Sequence, residues 1–185
     1  MLGIDPGLLA TGYAVLECAA GRLGVLDVGL VEAPAGLDLE VRLRLIYDGV
    51  ATLLDKHTPV ALVLEDLYAE YRFPRTALLM AHARGVVCLA ARQRDVRIMA
   101  LAPAEMKRAV TGYGAAAKEQ VQRSVQHLLG LAEPPRSTHV GDALALAFTG
   151  LGRLGARSLG GGLRPPSEAS PQDRLRRQSR RSNGP

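Results

Sequence analysis

Three carboxylates stand in apolar company, where a stable fold has little use for a charge. Asp5 follows Leu2-Gly3-Ile4, Glu65 follows Val60-Ala61-Leu62-Val63-Leu64, and Asp142 precedes Ala143-Leu144-Ala145. Burial of an isolated charge costs several kcal/mol, so such residues need a partner. If the fold brings the three together, their mutual repulsion raises their pKa values unless a cation intervenes. A divalent ion is the natural remedy. An oxygen-rich donor set suits Mg²⁺ or Mn²⁺, and the Cys and His spacings of a zinc site do not occur in the sequence. His139 precedes Asp142 by three residues, which puts both side chains on one face of a helix. Each residue also has a plainer reading. Asp5 alone is a turn former ahead of Pro6-Gly7, Glu65 alone a strand-end residue, and His139 alone an exposed residue at a helix N-terminus. Only the set gives the chemical reading its force, and it requires distant segments to converge.

The elements that must bring about this convergence follow from the periodicity of the apolar residues. Residues 1–5 read as a short buried strand, and residues 11–17 and 22–31 as strands joined by tight connections, an antiparallel meander. Across residues 37–56, Leu39, Leu43, Ile46, Val50, Leu53 and Leu54 recur at helical spacing and form one face, with Asp38 in the first turn. Thr58-Pro59 ends that pattern, and Val60 to Leu64 is an apolar run of the length of a buried parallel strand. Residues 75–92 are apolar almost all round, which predicts burial on more than one side, against the core or against a partner subunit. A fifth strand is expected over 96–101, then helices over 103–110, 118–129 and 139–150. A meander leading into parallel strands and helices predicts an α/β fold, a mixed five-stranded sheet flanked by helices.

The chain of 185 residues suits one such domain, placed at residues 1–151, and no apolar run approaches the ~18 residues of a membrane span. With no signal-peptide pattern at Met1 either, a cytoplasmic location without membrane attachment is expected. Cys18 and Cys88 lie in apolar segments with no framework of close spacings, and are read as buried thiols. The net charge of +5 is unevenly spread. From Gly152 onward eight arginines face only Glu168 and Asp173, a balance of +6, which leaves −1 for the rest. Residues 152–185, rich in Gly, Pro, Ser and Arg, are expected to form a basic disordered tail, either a solubilising extension or a polyanion tether.

Several of these segments together resemble one family. Leu2-Gly3-Ile4-Asp5-Pro6-Gly7, continuing to Thr11-Gly12-Tyr13, is similar to the opening strand and hairpin of the RuvC-type Holliday-junction resolvases. Val63-Leu64-Glu65-Asp66-Leu67-Tyr68 resembles their second acidic motif, and Ala81-His82-Ala83-Arg84-Gly85-Val86 the helix after it. Met106 to Gly114, with Lys118 beyond, is similar to the basic segment, and Gly141-Asp142-Ala143-Leu144-Ala145 to the closing acidic helix. One such motif is weak, but five in register are specific.

The resemblance implies an RNase H-like fold and a homodimer that nicks two opposing strands of a four-way DNA junction, leaving 5′-phosphate and 3′-hydroxyl ends. It implies Asp5, Glu65 and Asp142 as ligands of two Mg²⁺ or Mn²⁺ ions, with His139 as ligand or proton carrier where many members carry an acid. Lys107 and Lys118 would contact phosphates, and Tyr68, assisted by Phe73, would reach bases at the crossover; packing of Tyr68 on the sheet edge is the alternative. The dimer interface is expected on the helix bearing Ala81, Gly85, Val86 and Leu89, since glycine permits close helix approach. Branch-migration proteins RuvA and RuvB are the further partners it suggests. Residues 71–76, Tyr-Arg-Phe-Pro-Arg-Thr, depart from the usual polar approach to that helix. Two rivals stand beside this reading. One is a junction-binding module silenced by His139; the other is an actin-like or sugar-kinase phosphotransferase, which would need two such domains around its nucleotide.

Overall fold

Residues 1–66 and 74–159 are described by the computed structural model. Strand β1 (Leu2–Asp5) runs antiparallel to β2 (Ala10–Ala19), which pairs in turn with β3 (Arg22–Glu32). The β2–β3 hairpin turns on Ala20 and Gly21, with φ of 50° and 74°, the doubly left-handed geometry that matches strand twist. Helix α1 (Leu39–His57) then crosses to β4 (Leu62–Glu65), which lies parallel to β1. Helix α2 (Pro74–Arg92) leads to β5 (Ile98–Leu101), parallel to β4. Helices α3 (Pro103–Thr111), α4 (Lys118–Leu129) and α5 (Thr138–Leu159) complete the chain. The five-stranded sheet is mixed, as expected, and has the order β3-β2-β1-β4-β5.

Strand alternation divides the core into two layers. Leu2, Ile4, Leu62 and Leu64 face one side, where they pack with Ile46, Val50 and Leu54 of α1 and with Ala83, Val87 and Ala90 of α2. Ala14, Leu16 and Val63 face the other, against Met106 of α3, Val121 of α4 and Ala143 to Ala147 of α5. Asp5 and Glu65 share the period of Gly3 and Val63, and so point toward the second layer.

Helix α5 lies close enough to the sheet that backbone replaces side chain at the seam. A methyl group added to Gly3 would meet the Ala143 carbonyl oxygen at 2.1 Å, and one on Gly12 the His139 carbonyl oxygen at 2.2 Å. At these two positions nothing larger than glycine fits beneath the helix.

Within the protomer, the sheet and α1 cover the side of α2 bearing Ala83, Val87 and Ala90, while Leu78 is 64% and Leu89 51% exposed, which leaves that face to the expected partner subunit. Three sequence expectations need correction. Cys18 is exposed rather than buried, since the far end of β2 projects beyond the core; Cys88 is partly buried. Val60 lies outside β4 and is 70% exposed. The last helix also runs past its expected end at residue 150, for α5 continues to Leu159. Leu151 and Leu154 pack on the core, and Arg153 forms a double hydrogen bond to Glu105, which holds these turns helical. By internal contacts the main unit runs from Met1 to Leu154. Residues 160–185, most of the expected tail, lie outside the described residues.

Candidate active site

Register brings the first two carboxylates together. Strands β1 and β4 are neighbours with Ile4 opposite Leu64, so Asp5 and Glu65 occupy adjacent positions at the carboxyl ends of parallel strands. On the same side, the first turns of α5 supply His139 and Asp142. The glycine seam makes this crossing close: Gly12 touches the backbone of His139, and Gly3 that of Ala143, next to Asp142. His139 Nδ1 lies 2.5 Å from Asp5 Oδ2. Asp5 is only 7% exposed, whereas the His139 side chain is 42% exposed and faces both the carboxylate and solvent.

The electrostatics agree with convergence. Burial pushes the Glu65 carboxyl up to about 7, with further contributions from the charges of Asp5 and Asp142; Lys107 and Lys118 act against the rise. Asp142 is raised to about 6, again first by burial and then by Asp5, while Lys118, His139 and Lys107 oppose it. The hydrogen bond that His139 donates to the Asp5 carboxylate is the main cause that raises the imidazole above its ordinary value, against the opposing effect of burial. Three acids, one imidazole and two lysines from five segments therefore sense one another.

Among the described residues, no three His, Cys, Asp or Glu side chains stand gathered at metal-binding geometry. One Asp5 oxygen is engaged by His139. The donor set nonetheless fits a divalent cation: hard carboxylate oxygens, partly buried, with pKa values raised first by burial and then by neighbouring carboxylates. A cation is the group that would lower them.

Of the other sequence-predicted residues, Lys107 on α3 is half-buried and Lys118 at the start of α4 exposed, and both act on the acidic cluster. Tyr68 and Phe73 lie outside the described residues. On α2, Ala81, Gly85 and Leu89 are exposed and Val86 is half-buried; the space around Gly85 is open. Sequence reasoning did not assign roles to Gly3, Gly12 and Arg84. The glycines carried a usable signal, since glycine inside a strand marks close approach of another backbone.

A mixed five-stranded sheet of this order, with acids at the ends of its two adjacent parallel strands and on the helix crossing them, defines an RNase H-like fold with a carboxylate-rich site. Comparison with known proteins narrows the class. The family described as Crossover junction endodeoxyribonuclease RuvC matches residues 1–150. The RuvC of Moorella thermoacetica is 44% identical over 147 residues, covering 80% of this chain and 87% of its own. That of Fusobacterium nucleatum subsp. nucleatum is 35% identical over 157 residues, 85% of this chain and 82% of its own. The solved structure of Thermus thermophilus RuvC in complex with a Holliday junction substrate superposes with a TM-score of 0.76 at 34% identity, covering 83% of this chain and 94% of that one. The chain belongs to the RuvC family of crossover junction endodeoxyribonucleases.

Proposed function

We propose that this protein resolves four-way DNA junctions in recombination and repair by nicking two opposing strands symmetrically, with divalent cations in the acidic site. The observation that carries the reading is the meeting of Asp5, Glu65, Asp142 and His139 at one end of the sheet, with Glu65 and Asp142 raised by their shared surroundings. Family membership and the junction-bound relative support the substrate.

In this reading Asp5, Glu65 and Asp142 would hold two Mg²⁺ or Mn²⁺ ions, with Asp5 as the ligand common to both. When bound, such ions supply an activated water and stabilise the leaving oxygen of a phosphodiester. His139, already paired with Asp5 and open to solvent, is placed to exchange a proton at its ring or to add a nitrogen ligand. Lys107 and Lys118 present positive charge at the rim, where a DNA phosphate would approach the acids. Products would carry 5′-phosphate and 3′-hydroxyl ends.

A junction of near two-fold symmetry calls for two equivalent sites, which an isologous dimer provides. The apolar stripe on α2, with Leu78, Ala81, Gly85 and Leu89 exposed, is the surface proposed for that dimer. Tyr68 and Phe73 would contact unpaired bases at the crossover, and RuvA and RuvB are proposed as partners that deliver the junction. A chromosomal DNA substrate fits a cytoplasmic location; no helix among the described residues is long and apolar enough to cross a membrane.

The test is incubation of an end-labelled synthetic four-way junction with Mg²⁺ or Mn²⁺ and mapping of the nicks. Paired nicks at symmetric positions, religatable without end repair, are expected. Intact junctions in both metals would overturn the enzymatic reading and favour the binding-module alternative.

A further inference from the structure

Glu65 is held by more than its own strand. The register between β1 and β4 ends at Ile4 opposite Leu64, so the backbone of Glu65 lies past the last pair of that ladder. On the β5 side the following N–H, that of Asp66, donates to the Leu101 carbonyl at 2.7 Å. The Glu65 carbonyl receives its hydrogen bond from α2, where Arg84 Nη1 donates to it at 2.5 Å. Arg84 Nη2 lies 3.7 Å from Asp66 Oδ1, and the arginine side chain is only 17% exposed. One guanidinium thus grips two successive residues at the end of β4, one through its backbone and one through its carboxylate.

Both contacts of Arg84 go to the backbone of Glu65 and to the side chain of Asp66, so the arginine acts on the position of this strand end. Its planar fork suits the task, since it reaches two acceptors at once, where a lysine ammonium would serve one of them. Arg84 also stands on the helix whose neighbouring residues Ala81 and Gly85 are exposed.

We propose that Arg84 is a positioning residue that sets the backbone of Glu65, and through it the direction of the Glu65 carboxylate into the acidic site, from the helix proposed for self-association. The inference rests on the junction-nuclease reading of that site. It makes α2 a mechanical connection between two surfaces, so that displacement of the helix would turn a candidate metal ligand.

The experiment compares wild type, Arg84→Gln and Arg84→Lys in the full chain. Mn²⁺ binding is followed by calorimetry and by thermal shift without DNA, and cleavage of a labelled four-way junction under single-turnover and steady-state conditions. Arg84→Gln is expected to weaken Mn²⁺ binding at least fivefold and to lower kcat at saturating Mn²⁺ at least tenfold, with KM and junction affinity within twofold of wild type. Arg84→Lys should recover part of both losses. If Arg84→Gln does not fold, Arg84→Lys is judged by the same measurements against wild type. Unchanged Mn²⁺ binding and kcat in a folded variant would overturn the proposal, as would equal losses in kcat and junction affinity unrelieved by lysine. A wild-type protein that binds Mn²⁺ yet cuts no junction would instead refute the nuclease reading and leave the Mn²⁺-binding comparison standing.

Discussion

Stability without metal should fall as pH rises toward neutrality, and a divalent cation should restore it. Burial and neighbouring acids raise Glu65 from 4.5 to about 7 and Asp142 from 3.8 to about 6. An acid whose folded pKa is raised binds more protons folded than unfolded between the two values, so unfolding free energy declines with pH across that window. For Glu65 the decline begins near 4.5 and is complete above about 7; for Asp142 it runs from 3.8 to about 6. At about 1.4 kcal/mol per pKa unit, each shift corresponds to roughly 3 kcal/mol at most. The two titrations are coupled and partly screened by solvent, so a combined loss of about 2–3 kcal/mol is expected rather than the sum. His139 adds a loss of the same sign at higher pH, because a raised imidazole stabilises the fold below its unfolded pKa and ceases to do so above the folded one.

A loss of this size corresponds to a Tm decrease of roughly 5–10 °C for a domain of this length. Melting curves by circular dichroism, taken from pH 5 to 8 in EDTA, would show it. Glu65→Gln removes the titration, so the variant should melt above wild type at pH 8 and close to it at pH 5. Saturating Mg²⁺ or Mn²⁺ should raise wild type by several degrees at pH 8, by little at pH 5 where the site holds protons, and should hardly affect Glu65→Gln. If the wild-type curve runs parallel to that of Glu65→Gln, or if the cation stabilises both alike, the repulsive cluster is not the site that a cation relieves.

Other expectations follow from the same geometry. Asp5→Asn should lower junction cleavage by at least a thousandfold while junction affinity, measured by gel shift, stays within a few fold. His139→Asp, which replaces the imidazole by an oxygen donor, should change the ratio of Mg²⁺- to Mn²⁺-supported cleavage; an identical metal profile would remove the proposed ligand role. Gly3→Ala places a methyl group 2.1 Å from the Ala143 carbonyl oxygen, and overpacking of that kind costs about 1–3 kcal/mol or more, so denaturant melts should shift and cleavage should fall as α5 lifts. Leu89→Arg, on the exposed face of α2, should leave the melting temperature of the protomer nearly unchanged and convert a dimer to a monomer in sedimentation velocity.

Much of this was legible because it is written in periodicity. The spacing of Ile46, Val50, Leu53 and Leu54 marks the buried face of α1, and Val60 to Leu64 marks the approach to β4. The acids were conspicuous because charge is costly in such runs. What periodicity cannot supply is the extent of cover. An apolar residue on α2 looks the same in sequence whether the sheet, solvent or a second protomer faces it, and so Leu78 and Leu89 were assigned burial that a single chain does not provide. The helix end was missed for a related reason. Gly152 and Gly155 signal a break locally, yet Arg153 with its double bond to Glu105 and Leu154 packed on the core outweigh a cost of about 1 kcal/mol per glycine.

The seam under α5 explains why the site needs residues that carry no chemistry. Asp5 and Glu65 can be made neighbours by strand pairing alone, but Asp142 and His139 reach them only if a helix axis comes closer to the sheet than any side chain permits. Gly3 and Gly12 remove the obstructing atoms on β1 and β2, while Ala143 and Ala147 keep the facing side of the helix small. Alternation then requires Gly3 and Asp5 to share a face, so the residue that admits the helix and the residue that meets it lie two positions apart on one strand. The Gly-Ile-Asp run is thus a physical unit: the glycine sets the distance at which the acid can act.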